Sequence, residues 1–159
     1  MALDKVGFSD LFDEWMAEVP EPPVDMAGYG RDIYCYDDMR ETAQEVEGLN
    51  AVAQNVYRRL ITDRGSLLGC PDYGLDIRSF LNRGLDPTTL LAIPALIDLE
   101  IRKELRVDAV SVTTLAHTSS SLSLQIIVEA TAETGETGQF NLTVNVTKAG
   151  VEIAGLEVD

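Results

Sequence analysis

The sequence predicts an α+β fold: two main amphipathic helices joined by a Gly/Pro loop, packed on a small antiparallel sheet, with an N-terminal arm. Three observations carry this. Residues 49–61 place apolar side chains at helical spacing, Asp86 and Pro87 open a second helical stretch, and after Arg106 the period becomes alternating. Helices followed by strands give this class. The expected division is an acidic arm and linker over residues 1–48 and a folded domain over residues 49–159.

The arm comes first. Residues 3–16 predict a short amphipathic helix with Leu3, Val6, Leu11, Phe12, Trp15 and Met16 on its apolar side. Pro20, Pro22 and Pro23 stop it, because they lack an amide hydrogen and fix an extended backbone. An amphipathic segment ahead of a stiff linker suits docking in a partner's groove, so Leu11, Phe12 and Trp15 are candidate partner-binding residues. Gly28, Gly30 and the tyrosines 29, 34 and 36 follow, and receive no element.

From Leu49 the pattern sharpens. Leu49, Val52, Ala53, Val56, Tyr57, Leu60 and Ile61 form one buried stripe, Arg58, Arg59 and Arg64 suit the negative end of the helix dipole, and Gly65 is placed to stop the helix. Between Gly65 and Gly84 the residues Gly69, Pro71 and Gly74 favour turns around one short apolar stretch, residues 77–81. Asp86 caps the next helix and Pro87 suits its first turn, while Leu90, Leu91, Ile93, Leu96, Ile97 and Ile101 supply its buried face. Pro94 predicts a kink or two abutting helices, since a proline inside a helix costs about 3 kcal/mol. Strands follow at Val110 and Val112, at Leu122, Leu124, Ile126 and Val128, and at Phe140, Leu142, Val144 and Val146. Residues 151–158 offer a last strand.

Composition narrows the function. With 159 residues, 45% of them hydrophobic, the chain fits one folded domain with a tail. The net charge of -15 is uneven: residues 1–48 hold 13 acids against 3 bases, residues 49–106 hold 7 against 8, and residues 107–159 hold 7 against 1. Such a chain repels phosphate backbones, which argues against nucleic acid and anionic membrane as partners and favours a basic protein surface. No apolar run reaches the roughly 20 residues that cross a bilayer, and residues 1–10 lack signal-peptide regions, so the expectation is a cytosolic protein. Cys35, Cys70 and His117 stand apart from one another and predict neither a metal site nor a nucleophile, and no cofactor is expected.

One local pattern goes beyond generic folding. Thr62, Asp63, Arg64 and Gly65, then Pro71, Asp72, Tyr73 and Gly74, directly follow an amphipathic helix ending in Arg59, Leu60 and Ile61; a second helix then ends in Glu104, Leu105 and Arg106 before the strands. This resembles the baseplate wedge family of contractile tails, which includes the gene-twenty-five-like and W-like phage proteins and a type VI secretion baseplate subunit. The resemblance covers residues 49–128, about half the chain. The family's second helix commonly ends in Glu, Pro, Arg, and Leu105 stands here at the proline.

The resemblance implies a structural wedge subunit, not an enzyme. It would bind larger wedge proteins and the hub or tube-base proteins in a sixfold assembly, and initiate sheath assembly by strand exchange. Residues 122–146 or 151–158 are the expected edge for that exchange. It places a partner contact at Glu104 and Arg106 and leaves Thr62, Gly65, Pro71, Tyr73 and Gly74 as a structural loop motif. The setting implied is a virion tail baseplate or injection particle assembled in the bacterial cytoplasm. The competing readings are a peptidoglycan-cleaving lysozyme-like enzyme, which needs two carboxylates across a sugar cleft, and a regulatory anti-adaptor-like module that binds one regulator.

Overall fold

A computed structural model of the chain describes residues 28–34 and 44–159. Leu11, Phe12, Trp15 and Cys35 lie outside the described residues. In chain order the elements are β1 (Arg31–Ile33), β2 (Glu45–Glu47), α1 (Leu49–Ile61), α2 (Arg78–Arg83), α3 (Pro87–Ile101), β3 (Val107–His117), β4 (Ser121–Thr131), β5 (Thr137–Thr147) and β6 (Val151–Val158).

The expected fold class is overturned. Among the described residues the structure is mostly strand, with one antiparallel sheet of two strands, one of four, and only a few short helices; 28% of them are helical. Two main helices on a small sheet is therefore the wrong description. The cause lies in where each strand ends. Reading strands from apolar side chains stops them at the last Val or Leu, whereas pairing continues through flanking polar residues: Ser121–Thr131 pairs along its whole length with Thr137–Thr147. Three of the four large strands thus reach 11 residues. The short sheet had no alternating apolar signal, since Arg-Asp-Ile and Glu-Val-Glu each offer one apolar side chain.

The large sheet runs in the order β3-β4-β5-β6. Its inner face carries Leu122, Leu124, Ile126 and Val128 of β4 and Phe140, Leu142, Val144 and Val146 of β5, all buried. Against them pack Val52, Val56 and Leu60 of α1, Ile77 and Leu81 at α2, and Ile93, Ile97 and Ile101 of α3. The outer face of β4 and β5 is mostly Ser, Thr, Gln and Asn, with Ile127 and Glu129 among them, which follows from the period of two along each strand. Tyr29 closes one end of the core, its hydroxyl donating to the carbonyl oxygens of Glu136 (2.9 Å) and Ala130 (3.2 Å).

β4 and β5 are interior strands, so residues 122–146 are not the edge. The edges are β3 and β6, which have no second strand neighbour among the described residues. All register shifts fall on these two strands, between Val107 and Ala109, between Thr114 and Ala116, and opposite Thr143 and Val144. Bulges of this kind interrupt an edge that would otherwise template association. The phase of the ladder follows from the amide of Thr147 donating to Gly150 O (2.8 Å) and that of Asp159 to Gln139 O (3.0 Å). On β6 the backbone groups of Val151, Ile153, Leu156 and Val158 therefore face away from β5. The Val151 carbonyl, one of these, accepts the Tyr57 hydroxyl at 2.9 Å.

The helices differ from expectation in three places. Residues 77–81, read as an apolar stretch among turns, contribute to the short helix α2. α1 ends at Ile61 with Thr62 as its C-cap, whose hydroxyl donates to Arg58 O at 2.7 Å, so Gly65 lies in the loop beyond. α3 runs through Pro94 as one helix and not as two abutting helices, and stops at Ile101, which leaves Glu104 and Arg106 in the turn before β3 rather than on a helix. Its start is as read: the Asp86 carboxylate accepts the amides of Thr88 and Thr89, both at 2.9 Å. Of its apolar residues Ile93, Ile97 and Ile101 are buried, but Leu91 is 82% exposed.

Candidate functional site

The loop after α1 returns alongside that helix and pairs with carbonyls at its end. The amides of Leu75, Asp76 and Ile77 donate to the carbonyl oxygens of Arg59, Thr62 and Leu60 at 2.9, 3.0 and 2.9 Å, where a helix end lacks intrahelical partners. Gly74 is required there. Its φ is +97°, and a Cβ built on it would stand 2.3 Å from the Thr62 carbonyl oxygen. Thr62, Tyr73 and Gly74 of the loop motif thus meet at one point, whereas Gly65 and Pro71 are exposed.

Glu100 of α3 pins this loop. Its side chain is 1% exposed and accepts four donors: Gly74 N at 3.0 Å and Arg59 Nη1 at 3.5 Å on Oε1, Arg64 Nη2 at 2.6 Å and Lys103 Nζ at 2.7 Å on Oε2. Four donors fill the lone pairs a carboxylate offers. The cations also hold the loop backbone, with Arg64 Nε donating to Gly74 O (3.0 Å) and Lys103 Nζ to Asp72 O (2.8 Å). The Arg59 guanidinium lies over the Tyr73 ring, 4.5 Å from its centre. Burial pushes the Tyr73 phenol above its usual pKa, and the nearby Arg59 charge opposes that rise.

Glu104 and Arg106 continue the network outward. Glu104 lies 3.8 Å from Arg59 Nη2 and accepts Arg106 Nε at 2.8 Å, while Arg106 Nη1 donates to the Tyr29 carbonyl. Both side chains are bonded within the chain and largely shielded from water. Sequence reasoning missed Glu100 as the hub. A signal existed: Glu100 lies three residues after Ile97 and seven after Ile93, so it falls on the buried stripe of its own helix. An acid there must find partners, and Arg59 and Arg64 were already marked at the end of α1.

Asp76 presents the opposite case. It is the one described non-glycine residue with positive φ, +47°, and its Oδ1 makes no hydrogen bond within the distance and angle limits of one, although Arg78 Nε stands 3.6 Å away. Burial, then the charge of Asp63, push its carboxyl above the usual range.

The surface between α2 and α3 forms a groove of about 520 Å³ lined by Arg64, Leu75, Ser79, Phe80, Arg83, Leu96, Leu99, Glu100 and Lys103. Among the described residues no three His, Cys, Asp or Glu side chains converge as metal ligands would, and no helix is long and apolar enough to cross a membrane. His117 ends β3 in the open, and Cys70 is an exposed free thiol. No protein-family model matches the chain, and a search of curated proteins finds no match.

Proposed function

We propose that the chain is a structural baseplate wedge subunit of a contractile injection machine, a phage tail or a related particle, and acts by assembly rather than catalysis. The observation that carries the reading is the pair of edges, β3 and β6, left without a second strand neighbour among the described residues, on a four-stranded sheet whose interior strands are in unbroken register. An edge with unpaired amides and carbonyls is the chemistry that strand exchange with sheath requires. The loop motif supports the same reading, because Thr62, Tyr73 and Gly74 belong to one junction with Glu100. The partners proposed are larger wedge proteins, sheath protein and central hub or tube-base proteins, in sixfold assembly at a tail baseplate.

The lysozyme-like alternative is less well supported: Glu100, the most buried acid described, has its lone pairs taken by four donors and none left for a substrate.

Purification of a tagged chain from the producing bacterium tests the proposal. Recovery in particles together with tube, sheath and larger wedge proteins is expected. A free one-to-one complex with a single regulator, or clearing of peptidoglycan by the pure protein, would refute it. Proline at Ile153 then tests the edge, because the amide there faces away from β5 and its loss spares the internal ladder. That variant should fold and fail to add sheath.

A further inference from the structure

α3 is apolar nearly all round, yet among the described residues only its Ile93, Ile97, Ile101 side is covered. Leu91, Ala95 and Leu99 repeat at intervals of four on the uncovered side, and Leu91 and Leu99 are 82% and 64% exposed. A helix with a second apolar stripe in water is a helix with a missing neighbour. Beside Leu99 the groove between α2 and α3 has Phe80, Leu75 and Leu96 as its apolar lining and Arg64, Arg83 and Lys103 as its cations, against one carboxylate, Glu100. A net positive groove is notable on a chain of net charge -15.

We infer that this groove receives the chain's own N-terminal segment, residues 3–16. The inference does not depend on which machine the chain serves. Charge and shape chemistry both match. The segment carries Asp4, Asp10, Asp13 and Glu14 against Lys5 alone, and it brings Leu11, Phe12 and Trp15 at helical spacing. Acids flanking an apolar stripe meet cations flanking an apolar groove. Reach is sufficient as well. The described chain begins at Gly28, which shares a surface pocket with Glu104 and Arg106, and Glu104 adjoins Lys103 of the groove. Residues 17–27 span up to roughly 35 Å when extended, enough to bring Trp15 back to Leu99.

Trp15 is the only tryptophan in the chain, so its fluorescence reports on the segment alone. In the full-length protein the emission should lie to the blue of a free peptide of residues 1–24, and acrylamide should quench it several-fold less. Leu99→Asp and Arg83→Glu change exposed side chains, so both variants should keep the wild-type circular dichroism. Each should move emission and quenching toward the free peptide, as should salt at about 1 M through screening for the charged contacts. Pairing Arg83→Glu with Glu14→Lys should restore part of the protection. Quenching as free as in the peptide would overturn the inference. So would protection that survives Leu99→Asp and Arg83→Glu together, or protection that appears only at concentrations where the chain self-associates.

Discussion

Replacing Glu100 with Gln tests the junction most directly. The substitution keeps length and one oxygen, removes the charge, and turns an amide NH2 toward donors that cannot accept it. The four donors do not suffer equally. Arg64 and Lys103 are 53% and 39% exposed, so they can turn to water, whereas the Arg59 side chain is 13% exposed and the Gly74 amide is fixed by its loop. An orphaned buried amide costs about 1–3 kcal/mol. Breaking a buried ion pair from one side costs about 3–5 kcal/mol, and the two cations that can rehydrate move this case to the lower end. The expected loss is about 3 kcal/mol, a fall of about 2 M in urea midpoint at a slope near 1.5 kcal/mol/M.

The assay is equilibrium urea unfolding followed by circular dichroism at pH 7, with Arg64→Ala as the control. Arg64 is the closest of the four donors, yet half in water, and its removal should cost about 1 kcal/mol or less. If Glu100→Gln cost under about 1 kcal/mol, or no more than Arg64→Ala, burial would not be what gives this carboxylate its weight, and the account of the junction would fail.

Other consequences are open to measurement. Asp76 has a raised carboxyl pKa in the fold, so the folded state holds a proton that the unfolded state has lost, and stability falls as pH rises through that window. Asp76→Asn removes this loss and tolerates positive φ, so its stability relative to wild type should grow from acid to neutral pH, and a flat difference would contradict the assignment. Gly74→Ala should cost about 3 kcal/mol or more, because the new methyl meets the Thr62 carbonyl, while Gly65→Ala, with open space around it, should cost about 1–2 kcal/mol in unfolding experiments. Pro94→Ala should stabilise by at least about 1 kcal/mol, since it supplies the missing helix amide, and an unchanged melting curve would mean that the proline ring is replacing that bond with packing.

What could be read from the residues divides along a physical line. α1 was legible because its apolar stripe and its basic last turn repeat one message, and the start of α3 because Asp86 and Pro87 act locally. The sheet's extent was not, because pairing of Ser121 with Thr147 or Thr131 with Thr137 depends on a partner strand and leaves no mark in either segment. The same holds for which strand lies at an edge: β3 carries a shorter alternating run than β4 and β5, and only the order of pairing places it outside them. On α3 the face was legible in Ile93, Ile97 and Ile101, which are inside, but not at two positions, since Leu91 is in water and Glu100 is inside. A helix that is apolar on two sides gives no direction to its own burial.

The junction also changes what the two charges after α3 can mean. Expected as a contact on the surface, Glu104 and Arg106 are also the outer links of a chain of bonds that begins at Glu100 and ends on the Tyr29 carbonyl. Tyr29 in turn closes the end of the core through the backbone of β4 and of the turn before β5. Leu105, between the two charges, is almost wholly exposed, so this turn offers water an apolar side chain and keeps its charges for the fold. A partner that binds here would meet Leu105 first, and any charge it brought would compete with bonds already made. Loss of assembly on reversing Glu104 or Arg106 is therefore evidence of a contact only when the variant's unfolding free energy is unchanged. Leu105→Ser, which breaks none of these bonds, separates the two roles more cleanly.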